Sequence, residues 1–464
     1  MPTWSLPHAC RTLGLLLVLV WLGGCASLDL PPLQAPEPPT RPPVFSAPTV
    51  TAEPRPTAPP LPTESLPVTP PLTNTGGIAP LPVPAPLRMV LWTTERDAQL
   101  ELLRRHATTF SNVAGIEIEV VPQPAAGLRA NLLAARLADQ DVPDMIWGDQ
   151  HVLAELLIDR QLQPAPLPTA LDSFALAARV GATADGQLWG VPLLMHHTML
   201  LLHNRRLSDV PPATSDDLIR MSRAIPPAAD GDQRGLVARW AAARWLLPFL
   251  NGFGDSPTTP DGTRPTLDTP AMASSLNLLR ELAQAAPRDD AFDVGQSRFL
   301  AGEIGFLLEG DWALDPYLQS ELAPDLGIAQ MPVIPATGRM AAGTVDTLYL
   351  MVLHGISETT LARSREFAAY LTSAQVQVEL AQGMRRAPAV LAAHTAAELR
   401  GDPVLTLILD QSEQALGMPP TRAYRCASVA IDTQLPLVTN GDTPATEIAA
   451  AMQRQADRCV AGGG

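Results

Sequence analysis

At 464 residues with 46% hydrophobic residues, the chain can bury more than one core, and about 100–200 residues per domain predicts at least two globular units. Its formal charge of −15 argues against a nucleic-acid partner, because phosphate contacts need clustered cations and none cluster here. No lysine occurs, which removes Walker A loops, Schiff-base lysines and pyridoxal-phosphate chemistry together; genomic base bias accounts for that absence as well as any function does.

The chain opens on Arg11 and a short apolar run, Leu13 to Leu22, too short to span a bilayer comfortably, which reads as a secretory signal over residues 1–24. The run ends in Leu22-Gly23-Gly24-Cys25, which resembles the bacterial lipobox, so Cys25 is the expected lipidation site and the mature N-terminus. Two or more acyl chains, at about 0.8 kcal/mol per buried methylene, hold a protein on a membrane where one does not. Residues 31 to 86 carry 20 of the 49 prolines and no usable period. With Cys25 they form a predicted tether, 25–86, whose stretch from 31 to 86 reaches at most about 170 Å in polyproline II form. A wall-spanning or glycosylated stalk has the same geometry.

From Leu87 the pattern becomes globular. Arg88 to Trp92 reads as a buried strand, and Gln99 to Phe110 as an amphipathic helix with Leu100, Leu103 and Ala107 on one face. A strand at Ile116 to Val121, a helix around Leu128 to Ala138 and an apolar run at Asp144 to Trp147 follow. Strand, helix, strand, helix, strand predicts a parallel sheet covered by helices, hence an α/β first lobe.

At this point the residues carry a likeness. Arg88 to Trp92, Val142 to Trp147 and Asp185-Gly186-Gln187-Leu188-Trp189-Gly190-Val191-Pro192 resemble segments of the maltose-binding, family 1 extracellular solute-binding proteins of ABC importers. In the same order, Leu200 to Asn204 is similar to that family's strand ending in Tyr-Asn, and Phe299 to Phe306 through Gly310-Asp311-Trp312 to its helix, strand and Gly-x-Trp element. Gly383 to Pro388 resembles its Gly-x-x-Pro loop, and Met418 to Tyr424 the entry to its last helices.

The resemblance implies a two-lobe, type II periplasmic-binding-protein-like α/β fold, each lobe a mainly parallel sheet flanked by helices, with the ligand in the cleft. It implies lobe 1 over 87–195 plus 346–398 and lobe 2 over 199–342 plus 402–462. Crossings fall near Leu194 to Thr198, Gly343 to Thr347 and Ala397 to Asp402, and the helices after Pro403 pack back on lobe 2. Domain interfaces are independently favoured for ligand sites, since two walls can close on a solute and exclude water.

A sugar offers C–H faces to aromatic rings and hydroxyls to carboxylates, amides and guanidinium groups. Trp92 and Glu95, and likewise Trp147 and Asp149, follow strands at the edge where open α/β sheets bind ligands, although each could be a core residue or a loop charge. Trp312 matches the family's cleft tryptophan; its neighbour Asp311 is a weaker candidate. Trp240 and Trp245, read as one helix, point about 140° apart, and alignment with the family favours Trp240 for the cleft and Trp245 for the core. Arg386 could hold a hydroxyl or carboxylate, or form a surface ion pair.

His196 and His197 depart from the family's usual acidic or aromatic residue and put a maltose-like ligand in question. Strand alternation would place His197 and His203 on one face about 20 Å apart, with His196 opposite, so no metal site is expected. His197 is carried forward as a ligand hydrogen-bonder, against the alternative of a structural histidine. Cys426 and Cys459 remain once Cys10 is removed and Cys25 acylated; an exported compartment predicts a disulfide, against two buried thiols.

Neither Gly-x-Ser-x-Gly nor His-Glu-x-x-His occurs, and Asp216-Asp217 and Asp289-Asp290 read as helix-start and loop charges. The expectation is therefore a monomeric, non-enzymatic, cofactor-free lipoprotein that captures a small carbohydrate or polyol and passes it to ABC-importer permease subunits. The alternative is a ligand sensor docking on a signalling receptor. A lean 5% of aromatic residues fits a mono- or disaccharide, a polyol or a polyol phosphate as well as a maltodextrin.

Overall fold

A computed structural model describes residues 86–462 apart from 139–141, 230, 288–291 and 440. The signal-like run, Cys25, the proline-rich stretch up to residue 85 and the Asp289-Asp290 pair lie outside the described residues.

The apolar run that begins the globular part forms the strand Arg88–Thr93, buried from Met89 onward. It lies between two parallel neighbours, Glu117–Pro122 and Met145–Gly148. Burial on both faces explains why its sequence is continuously hydrophobic, whereas Glu117–Pro122, at the sheet edge, alternates. The intervening helix, Asp97–Ala114, buries Leu100, Leu103, Ala107 and Phe110 at helical spacing. It ends at Gly115, whose φ of 66° is left-handed and whose N–H returns to the Ser111 carbonyl, as an αL cap requires.

The large sheet has seven strands. Six run in the order Ala387–Pro388, Val191–His196, Thr344–Val352, Met145–Gly148, Arg88–Thr93, Glu117–Pro122, and Leu416–Gly417 pairs beside Thr344–Val352. The second sheet has four strands, ordered Leu326–Ala329, Met199–Asn204, Phe306–Gly310, Leu236–Val237. The α/β class holds, but both sheets are mixed rather than mainly parallel. Thr344–Val352 runs antiparallel to Val191–His196 and Met145–Gly148 and parallel only to the short Leu416–Gly417, and Met199–Asn204 is antiparallel to both of its own neighbours. Helical crossovers give parallel pairs; strands that carry the chain between the sheets enter in the opposite sense.

His197 and Thr198 alone separate the large-sheet strand Val191–His196 from the second-sheet strand Met199–Asn204. Residues 341–343 lead into Thr344–Val352. The third passage is more gradual than a short crossing at 397–402. The helix Pro403–Glu413 touches both Ala387–Pro388 and Met199–Asn204, so a whole helix lies between the sheets. Beyond it, Arg422–Gln434 and Ala445–Ala461 pack on each other and on second-sheet helices Ala243–Gly252 and Pro270–Ala283. A Cys426–Cys459 disulfide joins the two terminal helices. Asp216 and Asp217 occupy the first turn of the helix Ser215–Ala224, where Thr214 accepts the Asp217 N–H and the helix dipole favours negative charge.

Candidate functional site

The two-residue crossing and the strand ends beside it bring together a group of buried polar residues, Glu95, His196, Asp311 and Asp346 among them. On the large-sheet side, Glu95 follows the first strand and Arg386 follows the helix Ala374–Met384. Arg386 Nη1 donates to Glu95 Oε1 at 2.7 Å, and Trp147 Nε1 donates to the same oxygen at 3.3 Å. Trp147 is fully buried, so its ring is a core element and its indole N–H fixes Glu95. Glu95 Oε2 is left for another donor, and the guanidinium presents further N–H groups.

One strand over, His196 stands directly opposite Asp346 in the antiparallel pair. His197 leaves the strand with φ of 61°, a left-handed conformation uncommon for a residue with a side chain. The alternation that would have sent its ring away from His196 is thereby broken. The two imidazoles lie side by side, centroids 4.2 Å apart, and His197 Nδ1 is 3.5 Å from Asp346 Oδ2, too long for a good hydrogen bond. Asp346 Oδ1 accepts from the backbone N–H groups of Gln150 and Thr347 at 3.0 and 2.7 Å.

Burial pushes His196 well below its ordinary pKa, against the pull of the Asp346 charge, so the imidazole is neutral. Burial alone would raise Asp346 too, but His197, His196 and the Gln150 amide outweigh it and hold the carboxyl low, at about 2. Asp149, which caps the helix Gln150–Ile158 by accepting the Val152 N–H, is raised by burial and by the negative charge of Asp346.

The opposite wall is Trp312, 39% exposed and the only exposed tryptophan among the described residues. It follows the strand Phe306–Gly310, and its indole folds back over Gly310, where an added Cβ would fall inside the ring. Its ring meets His197 edge-on at 5.1 Å and Trp245 edge-on at 6.1 Å, while the Arg244 guanidinium lies 5.5 Å from its centroid. Trp245 is locked in turn by donating to the Leu308 carbonyl at 2.9 Å. Asp311 is 8% exposed; burial pushes it up to about 6, with His197 opposing. The Thr198 and His197 amides lie near enough to favour its charge, yet neither oxygen receives a full hydrogen bond. Arg385, left-handed at the end of its helix, pairs with Asp315 from the helix Leu314–Leu318 beside Trp312.

A flat, partly exposed aromatic facing carboxylates, imidazoles and a guanidinium fits a polyhydroxylated ring, which needs a stacking face and planar polar partners together. Residues 107–406, more than half of the chain, match the bacterial extracellular solute-binding proteins. The chain belongs to that family.

Other members align at low identity. A maltooligosaccharide ABC transporter solute-binding lipoprotein of Streptococcus pneumoniae is 19% identical over 68% of this chain and 75% of its own length. The maltodextrin-binding protein MdxE of Bacillus subtilis is 23% identical over 36% of this chain and 42% of its own. Among solved structures, the maltose-binding periplasmic protein MalE of Listeria monocytogenes with maltose superposes with a TM-score of 0.73 at 18% identity, covering 81% of this chain and 98% of that one. The cyclic α-maltosyl-1,6-maltose binding protein of Arthrobacter globiformis gives 0.73 at 18%, covering 82% and 100%. These likenesses show the two-lobe fold of this extracellular solute-binding protein.

Of the sequence candidates, Glu95, Trp147, Asp149, His197, Trp312 and Arg386 come together at the crossing. Two do not. Trp92 is 7% exposed and shares a core with Leu128 and Leu132 of the helix Leu128–Leu137 and with Ile146 of the neighbouring strand. Trp240 precedes the helix Ala243–Gly252 rather than lying on it, so the angular argument separating it from Trp245 has no basis. Trp240 is buried in the second-sheet core and borders a depression with Phe292 and Pro436, while Trp245 backs Trp312. Asp346 and Arg244 were missed. A lone acid inside the apolar strand TVDTLYLMV, at an expected crossing, was a readable signal for Asp346.

Proposed function

We propose that this solute-binding protein captures a short carbohydrate of the maltooligosaccharide class in the cleft between its lobes and delivers it to the permease subunits of an ABC importer. The lobes are taken as 87–195 plus 346–398 and 199–342 plus 402–462. A lipid on Cys25 and the proline-rich tether hold the monomeric head at the membrane, facing the cell exterior or periplasm. It acts as a receptor, not an enzyme. The observation that carries the reading is Trp312: a partly exposed indole, backed by Trp245 and folded over Gly310, is a stacking platform beside His197 and Arg244. The relatives from Streptococcus pneumoniae and Bacillus subtilis, named for maltooligosaccharide and maltodextrin binding, support this cargo class, and the first is named for transport. A sensor role has no comparable support.

The test is a thermal-shift screen of the full-length protein against sugars, polyols and amino acids. Ligand at 100 times its dissociation constant adds about 2.7 kcal/mol to the folded state. An upward shift confined to glucose oligomers supports the proposal; shifts only with amino acids or with nothing at all contradict it.

A further inference from the structure

We propose that His196, His197 and Asp346 form a site for a zinc-class divalent ion at the hinge between the two lobes. One ligand atom from each residue lies within 4.8 Å of the others. His197 Nδ1 and Asp346 Oδ2 are 3.5 Å apart. Ligand bonds of about 2.0–2.1 Å at tetrahedral angles place donor atoms about 3.4 Å from one another, so this pair has the required spacing and His196 needs only a small ring movement.

The donors are built for an ion rather than merely crowded. His196 is 7% exposed, and its Nε2 is buried with no hydrogen-bond partner; His197 Nδ1 is likewise buried and unpartnered. A buried imidazole nitrogen without a partner is costly, and two beside one carboxylate call for a common acceptor of their lone pairs. Asp346 supplies the outer support usual for a metal-bound carboxylate. Oδ1 is fixed by the Gln150 and Thr347 amides, which leaves Oδ2 to bind through one oxygen. The left-handed backbone of His197 turns its ring onto this cluster, and such strain is kept where surrounding structure gains from it.

The surrounding charge also favours a cation. Asp149 and Asp311 act electrostatically on the cluster along with Asp346, while Arg244 and Arg386 oppose them, and Glu95 already pairs with Arg386. Three carboxylates thus act at the cluster against two guanidinium groups, one of which is engaged by Glu95. Two imidazole nitrogens and one carboxylate oxygen suit zinc, cobalt, nickel or copper; calcium and magnesium prefer all-oxygen shells. Three protein donors leave a fourth position for water.

Because His196 and Asp346 are direct partners in one sheet, and His197 is the next residue, the site does not require the lobes to close. Metal binding is therefore expected without carbohydrate, and the inference stands or falls apart from the cargo. The experiment uses the full-length protein, purified without a histidine tag and stripped with chelator, titrated with Co²⁺ and then Zn²⁺. The expected result is one Co²⁺ per chain with a visible absorption band, displaced by Zn²⁺. His197→Ala and Asp346→Asn should each weaken binding at least tenfold, with His354→Ala, at an exposed histidine elsewhere, unchanged. His197 is only half-buried, so its variant should keep the metal-free thermal midpoint and lose the rise caused by Zn²⁺. Absence of stoichiometric binding by the unaltered protein, or equal binding by the His197 and Asp346 variants, overturns the proposal.

Discussion

Trp312 and Glu309 stand three residues apart and carry opposite lessons. Trp312 is partly exposed, so Trp312→Ala should leave the thermal midpoint nearly unchanged while weakening carbohydrate binding roughly 30-fold, about 2 kcal/mol, as loss of an aromatic hot spot does. A variant that binds as well as the unaltered protein would remove the indole from the site. Glu309 is 2% exposed on the strand Phe306–Gly310 that precedes Trp312; burial pushes its carboxyl up to about 7, with the Gly310 N–H and Arg239 opposing, and Tyr317 is the other titratable group near it. The folded state then holds this proton more tightly than the unfolded chain. Stability from this group is fully present below the unfolded value of 4.5 and falls as pH rises to about 7, then levels off. Glu309→Gln should flatten that slope by about 3 kcal/mol in denaturant titrations across the window. Parallel profiles would mean that Glu309 ionises freely.

At the scale of elements, Gly310 ends the strand Phe306–Gly310 and gives Trp312 its place. Gly310→Ala should displace the indole and weaken carbohydrate binding several-fold with little loss of fold, since the clashing atoms belong to a side chain that can swing outward. Unaltered affinity would show that the ring position is irrelevant. The Cys426–Cys459 bond closes a loop of 33 residues between the two terminal helices, so reduction should lower unfolding stability by about 4 kcal/mol on the chain-entropy model. The elements were legible where one physical rule governed them: the apolar run at Arg88, the helical spacing from Leu100 to Phe110, the acids opening the helix at Ser215. The site was legible only in part. Glu95, Arg386 and Trp312 follow strand or helix ends, which patterns reveal. The His197 turn is a single backbone choice that no periodicity encodes, and it alone decides whether His196 and His197 meet. Trp240 was misplaced for a different reason: the helix begins at Ala243, three residues beyond it, so a helical angle between the two tryptophans does not apply.

At the scale of the molecule, the site lies where the chain passes between the sheets. Arg385, at the end of the helix Ala374–Met384, and Asp315, on the helix Leu314–Leu318, pair at the surface with side chains 40% and 70% exposed. An exposed pair contributes about 0–1 kcal/mol, so Arg385→Ala should change affinity less than about fivefold, far less than Trp312→Ala. The seven-stranded sheet and its helices hold Glu95, Arg386, His196 and Asp346 in fixed relation, while Trp312, Arg244 and Asp311 ride on the other sheet. The central claim is tested most directly by calorimetric titration of the full-length protein with maltose through maltopentaose, beside Trp312→Ala. The account predicts saturable one-to-one binding with a negative heat-capacity change and a marked loss in the variant; no heat from any of these sugars, or binding indifferent to Trp312, would contradict it.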